Sequence, residues 1–216
     1  MAAVACDPIS VFDKSFSISL QAAALEVVRQ MYREAQPLSE QIAKGPHGKD
    51  LLPHVRRGGI QTRLEEVACS HEGVQVRTEF NRSGNAHIVI EGPNIILTES
   101  FARSKSKVVR PAAFRRNDSM QNYPLLENLE PPDDITTEMK FNAVLLHGYG
   151  ARGGIDLGFA LIRFPSPGFK SYQPEMINLL ERFPAGVPIS QSYAMEEIPD
   201  LLEPKMRSDI PVRKGS

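Results

Sequence analysis

Apolar residues recur at three- and four-residue steps between positions 17 and 35, where Leu20, Ala24, Val27, Val28, Met31 and Ala35 interrupt an otherwise polar run. At 3.6 residues per turn these positions share one face, so the spacing predicts an amphipathic helix with that stripe in the core. Pro37 has no amide hydrogen to donate and crowds the turn before it, and is expected to stop the helix. A Gly/Pro/Lys stretch follows at 44–49. Asp50 can then cap a short turn, and the Gly58-Gly59 pair is expected to break it before a second helix over about 60–69, with Ile60, Leu64, Val67 and Ala68 as its stripe.

From residue 74 the period changes to two. Val74, Val76, Thr78 and Phe80 alternate with Gln75, Arg77 and Glu79, which predicts a strand with one face inward and one in water. "NRSGN" turns the chain into "AHIVI", and "EGPN" turns it again into "IILTE", so the three segments should form an antiparallel meander. Pro111 suits the first turn of a short helix running to about 118, and residues 121–137, with Pro124, Pro131 and Pro132, read as a connector. Met139 to His147 and Leu157 to Phe164 are apolar on both alternating sets, as strands covered on both faces are. Ser171 to Phe183 reads as an amphipathic helix with Met176, Leu179, Leu180 and Phe183 on one side and Pro184 as its stop. Beyond it, prolines punctuate a stretch without periodicity.

These elements predict an α+β fold. A mainly antiparallel sheet, made of the three-stranded meander and two buried strands, is flanked by helices in a single domain over 15–184, followed by an extended tail at 185–216. With 41% apolar and 24% charged residues in 216, the chain can bury one substantial core. Two cysteines, Cys6 and Cys69, are too few for a disulfide framework, and no Cys/His spacing suits a structural zinc. The opening MAAVAC lacks the basic start and apolar run of a signal peptide, and no apolar run approaches the roughly 18 residues of a spanning helix. A cytoplasmic protein without membrane contact is expected.

The formal net charge of −1 conceals a segregation. Residues 44–117 hold thirteen Lys/Arg against seven Asp/Glu, whereas residues 118–141 hold one lysine against six acids. The basic part sharpens in "ARSKSKVVRPAAFRRN", where Arg103, Lys105, Lys107, Arg110, Arg115 and Arg116 occur without one carboxylate. Alternating cations on an extended segment can neutralise successive phosphates, each releasing counterions. Salt bridges to the acidic connector are the competing use. Only Phe101 and Phe114 could stack on bases nearby, which argues against sequence-specific reading of RNA.

Between the two buried strands lies "HGYGARGG". Gly148, Gly150 and Gly153 have GxGxxG spacing, but a strand pattern follows where a dinucleotide site needs a helix, so a connection between paired strands is the better reading. His147 and Arg152 remain as candidates for an anion at the strand ends. His87, alternating with Ala86 and Ile88, should face solvent or a cross-strand neighbour, and His47, His54 and His71 are too scattered for a metal.

No cofactor motif occurs, and none is expected. The order helix, three-stranded meander, helix, strand resembles the restriction-endonuclease-like core over about half the chain. That resemblance implies metal-holding carboxylates at Glu91 and Glu99, with Glu65 or Glu66 on the preceding helix, although the Glu-x-Lys of such cores does not follow. Glu138-Met-Lys140 has that spacing but begins a later strand, and Glu79 reads as an outward residue. The leading expectation is an intracellular binding protein of a bacterial toxin–antitoxin or phage-conflict type, suggested by the lack of housekeeping motifs. It would contact nucleic acid or an acidic partner protein through 103–116. A metal-dependent nuclease is one alternative, and a protein-interaction module whose tail docks in a partner's groove is the other.

Overall fold

A computed structural model describes residues 7–81, 84–109, 113–120, 122, 140–150 and 155–185. Helix α1 (Pro8–Ser15) begins at Asp7, whose carboxylate accepts from the amides of Ile9 and Ser10 at 3.1 Å each. Helix α2 (Ile18–Ile42) begins at Ser17, whose hydroxyl accepts from Leu20 N. Both caps satisfy amides that have no partner within the helix. The stripe predicted for α2 is buried throughout, but Pro37 does not end the helix. One backbone bond is lost there, and the following turn is held by packing: Ser39 is buried and its hydroxyl donates to Gln36 O.

Helix α3 (Pro46–Cys69) runs unbroken through Asp50 and Gly58-Gly59, where a short turn, a break and a second helix were expected. The glycines serve proximity instead. A Cβ on Gly59 would stand 2.3 Å from Met31 Cε, so its lack of a side chain lets α3 close on α2.

The sheet contains β1 (Gln75–Phe80), β2 (Ala86–Glu91), β3 (Ile95–Phe101), β4 (Phe141–Tyr149), β5 (Leu157–Pro165) and β6 (Tyr172–Asn178) in that order. All neighbours are antiparallel except β3 and β4, which run parallel from Ile95↔Phe141 to Phe101↔His147. The fold is thus α+β with a mostly antiparallel sheet, as the hydrophobic pattern predicts.

The segment 171–183 is a correction. It forms β6 and then a single turn, α5 (Leu179–Arg182), where one helix was expected. Gln173 and Ile177 bury while Met176 is exposed, so the apolar residues divide between two elements. Pro174 is tolerated because β6 is an edge strand, which need not donate on its outer side. At the other edge, Val74 and Val76 reach the core but Phe80 is 72% exposed, so the inward face expected of this strand stops short of its end.

Helices α2 and α3 cover one side of the sheet, closing over Ile88, Ile90, Ile95, Leu97, Ala143, Leu145 and Ile162. Helix α4 (Ala113–Met120) lies on the opposite side, where Val144, Leu146, Phe159 and Leu161 pack with Ala102, Val109 and Phe169. Among the described residues, no helix is long and apolar enough to cross a membrane. The proline-punctuated tail at 185–216 lies outside the described residues but for Ala185.

Candidate functional site

The basic segment leaves the sheet at the end of β3. Ala102 N donates to His147 O at 2.8 Å, continuing the parallel ladder by one residue, and Ala102 and Val109 are both buried on the α4 side. The chain between them is thereby pinned at two points. Arg103, Lys105 and Lys107 are exposed, and Ser104 and Ser106 pair their hydroxyls at 3.2 Å, which shapes the turn between the cations. Arg116 is exposed on α4. Among the described residues, none of these four cations has a carboxylate within ion-pair distance.

Arg115 does not stand with them. Its Nη2 donates to Ser100 Oγ at 2.7 Å, its guanidinium lies 5.1 Å from the Phe114 ring, and burial lowers its pKa. Arg110 lies outside the described residues, as do Arg152 and the acids of the connector from Glu127 to Glu138.

Beneath α4, His87 is buried and stacked on Phe114 with ring centroids 4.2 Å apart. Its Nε2 is 3.4 Å from Glu79, its partner in the ladder, so the cross-strand alternative holds and the solvent one does not. Burial pushes His87 below the ordinary histidine value, with the positive charges of Arg115, Arg57 and Arg77 adding to it. Asp118 is pushed up to about 6 by burial, against the pull of Arg77 and Arg115.

On the α2/α3 side, His147 is 1% exposed and sits at the centre of a hydrogen-bonded chain. Its Nε2 is 2.6 Å from Glu99 Oε1 and its Nδ1 is 2.9 Å from Tyr32 Oη. Gln61 Nε2 donates to the other Glu99 oxygen at 3.1 Å. If Glu99 is ionised it accepts from Nε2–H, leaving Nδ1 to accept from the Tyr32 hydroxyl. Burial alone would raise the Glu99 carboxyl, but the hydrogen bond from His147, the Gln61 amide and the charge of Arg57 together hold it below its ordinary value. Burial raises Tyr32, partly offset by the Arg56 guanidinium over its ring. Arg56 also donates to Tyr149 Oη at 2.5 Å. β4 runs two residues past His147 to Tyr149, so His147 sits within the strand rather than at its end, and both of its ring nitrogens are engaged by neighbours.

Glu91 and Glu99 do not come together. Glu91 pairs with Ile96 in the ladder, three residues from Glu99, and bonds Arg77 and Lys140 on the opposite side of the sheet from Glu99. The hydrogen bond from Arg77, helped by Lys140, holds the Glu91 carboxyl below its ordinary value. Glu65 and Glu66 are exposed on α3, and among the described residues no three His, Cys, Asp or Glu side chains group as a metal would require. The glycine stretch joins antiparallel β4 and β5 as expected: Gly158 packs on Gly150, where a Cβ would stand 2.0 Å from its Cα.

Sequence reasoning missed Tyr32, Arg56, Gln61 and Tyr149. Arg56 carried a signal, since it precedes Ile60, Leu64 and Ala68 at four-residue steps and so falls on the buried stripe. Comparison with family models, with curated proteins and with solved structures finds no match to this chain.

Proposed function

We propose that the protein binds a polyanion, nucleic acid in the first instance, through Arg103, Lys105 and Lys107, with the exposed Arg116 of α4 as a further candidate. One observation carries this reading: three exposed, alternating cations stand on a segment anchored at both ends by buried Ala102 and Val109, with no carboxylate partner among the described residues. Anchoring matters because a cation held in place loses less side-chain and backbone freedom on binding than one on a free loop. The contacts would be to phosphates, which position a strand without reading its bases. The metal-dependent nuclease gains no support from carboxylates lying on opposite sides of the sheet.

The test is salt-titrated binding of generic duplex DNA to the whole protein and to the triple variant Arg103→Gln, Lys105→Gln, Lys107→Gln. Each neutralised phosphate contributes a slope of about 0.9 in log K against log salt, so the variant should lose roughly 2 to 3 in that slope. An unchanged slope and affinity would end the proposal. Binding of an acidic protein and not of DNA would move the surface to the other partner class.

A further inference from the structure

Within the network on the α2/α3 side, every charged or titratable group has its complement except one. Both oxygens of Glu99 and both nitrogens of His147 are engaged. Arg56 is not so served. It is 3% exposed, with its guanidinium carbon 4.3 Å from the Tyr32 ring centroid and 4.7 Å from that of Tyr149. Nη1 has the Tyr149 hydroxyl, whereas Nε and Nη2 are buried without an acceptor. Among the described residues, no carboxylate lies within ion-pair distance of Arg56.

The identity of the two unserved nitrogens is informative. Nε–H and Nη2–H point from the same edge of the planar guanidinium and form the fork that grips two oxygens on one centre. Two aromatic faces hold that plane in place, so the fork is already oriented. An unpaired buried cation is expensive, and two cation–π contacts offset only part of its desolvation. Its position adds a second argument. Glu99, Phe101, His147 and Tyr149 lie at the carboxyl ends of β3 and β4, the parallel pair of this sheet, and ligands in sheets with crossover connections collect outside such ends. Phe101, 40% exposed, packs on Tyr149, and half-buried Tyr149 packs on Tyr32, so the aromatic cluster leads from the surface to Arg56.

We propose that the Nε/Nη2 edge of Arg56, walled by the rings of Tyr32 and Tyr149, is a binding site for a small oxyanion, a phosphoryl or carboxylate group, admitted by displacement of Tyr149. The site is separate from the basic segment, which is anchored on the other side of the sheet.

The test titrates the intact protein with inorganic phosphate and, separately, with acetate, at ionic strength held constant with chloride. The readouts are the Arg56 Nε–H resonance and the melting temperature. Saturable movement of that resonance with a rise in melting temperature is expected. Saturation by phosphate and not acetate assigns a phosphoryl ligand; the reverse assigns a carboxylate. No shift with either anion overturns the proposal, and this arm needs no variant. Arg56→Lys keeps the charge and loses the fork, and should weaken binding about tenfold or more if it folds. Phosphate binding that survives Arg56→Lys but disappears in the Arg103/Lys105/Lys107 variant would place the anion on the surface segment and likewise overturn the assignment.

Discussion

Two regions on opposite sides of the sheet, one around Glu99 and one around Asp118 and His87, treat ionisable groups in opposite ways. Under α2 and α3, Glu99 is buried yet held below its ordinary pKa, because His147 and Gln61 supply hydrogen bonds that favour the charged form. Under α4, Asp118 is raised to about 6 and His87 is lowered, so burial drives both toward their neutral forms. Glu99 retains its charge by hydrogen bonding, whereas Asp118 and His87 are pushed to shed theirs, although Glu91 on their side keeps its own by pairing with Arg77 and Lys140. Pairing makes removal of a partner costly, whereas neutralisation makes removal of the ionisable group cheap or favourable.

The largest effect should come from Glu99→Ala, which leaves His147 and Gln61 facing a void without an acceptor. A loss of about 3–5 kcal/mol in chemical denaturation is expected. Because the folded carboxyl is more acidic than the unfolded one, its contribution is complete above the ordinary glutamate range near about 4.3 and fades as pH falls through the folded value. The acid-induced loss of stability should therefore be shallower in Glu99→Gln than in the natural chain, and equal slopes would show that the pair is not ionic.

Phe114→Ala comes next. It removes the ring stacked on His87 and is expected to cost about 1–2 kcal/mol. The histidine should then titrate closer to its ordinary value, as followed by its ring-proton resonances against pH. A titration unmoved by the substitution would show that α4 does not desolvate His87.

The smallest effect distinguishes the two sides most directly. Asp118 binds its proton more tightly in the folded chain than in the unfolded one, so its ionisation lowers stability as pH rises from about 4 to about 6. Asp118→Asn should match the natural chain below about pH 4 and exceed it above about pH 6, by on the order of 1 kcal/mol or less after solvent screening. Melting curves across that range check it. Destabilisation at neutral pH would mean that Asp118 is paired like Glu99.

Strands β1 to β5 were legible because their alternation, turns and two-sided apolar runs are local signals. Helix ends were less so. Pro37 and the Gly58-Gly59 pair look like stops to any reading along the chain, but tertiary contact with Ser39 and Met31 decides both. Breaking α3 at Gly58 also hid Arg56, which shares its stripe with Ile60 and Leu64 only if the helix is continuous. Residues 171–183 were misread because three apolar residues near its end fit a helical face, while Gln173 and Ile177 follow the strand's period. As for the site, exposure of Arg103, Lys105 and Lys107 follows from their alternation, but the inward turn of Arg115 depends on Ser100 lying beneath it, and no local pattern encodes that.

The parallel contact between β3 and β4 joins segments that are strangers in sequence, and each brings one partner of the buried Glu99–His147 hydrogen bond to it. Sliding one strand by a single residue would swap its inner and outer sides. Glu99 stands opposite Leu145 and meets His147 diagonally, so the two-residue slide that sets it opposite Ala143 would preserve the sides but carry His147 out of reach, stranding a carboxylate in oil. A greasy interface alone would tolerate several alignments; this polar contact strikes out some of them.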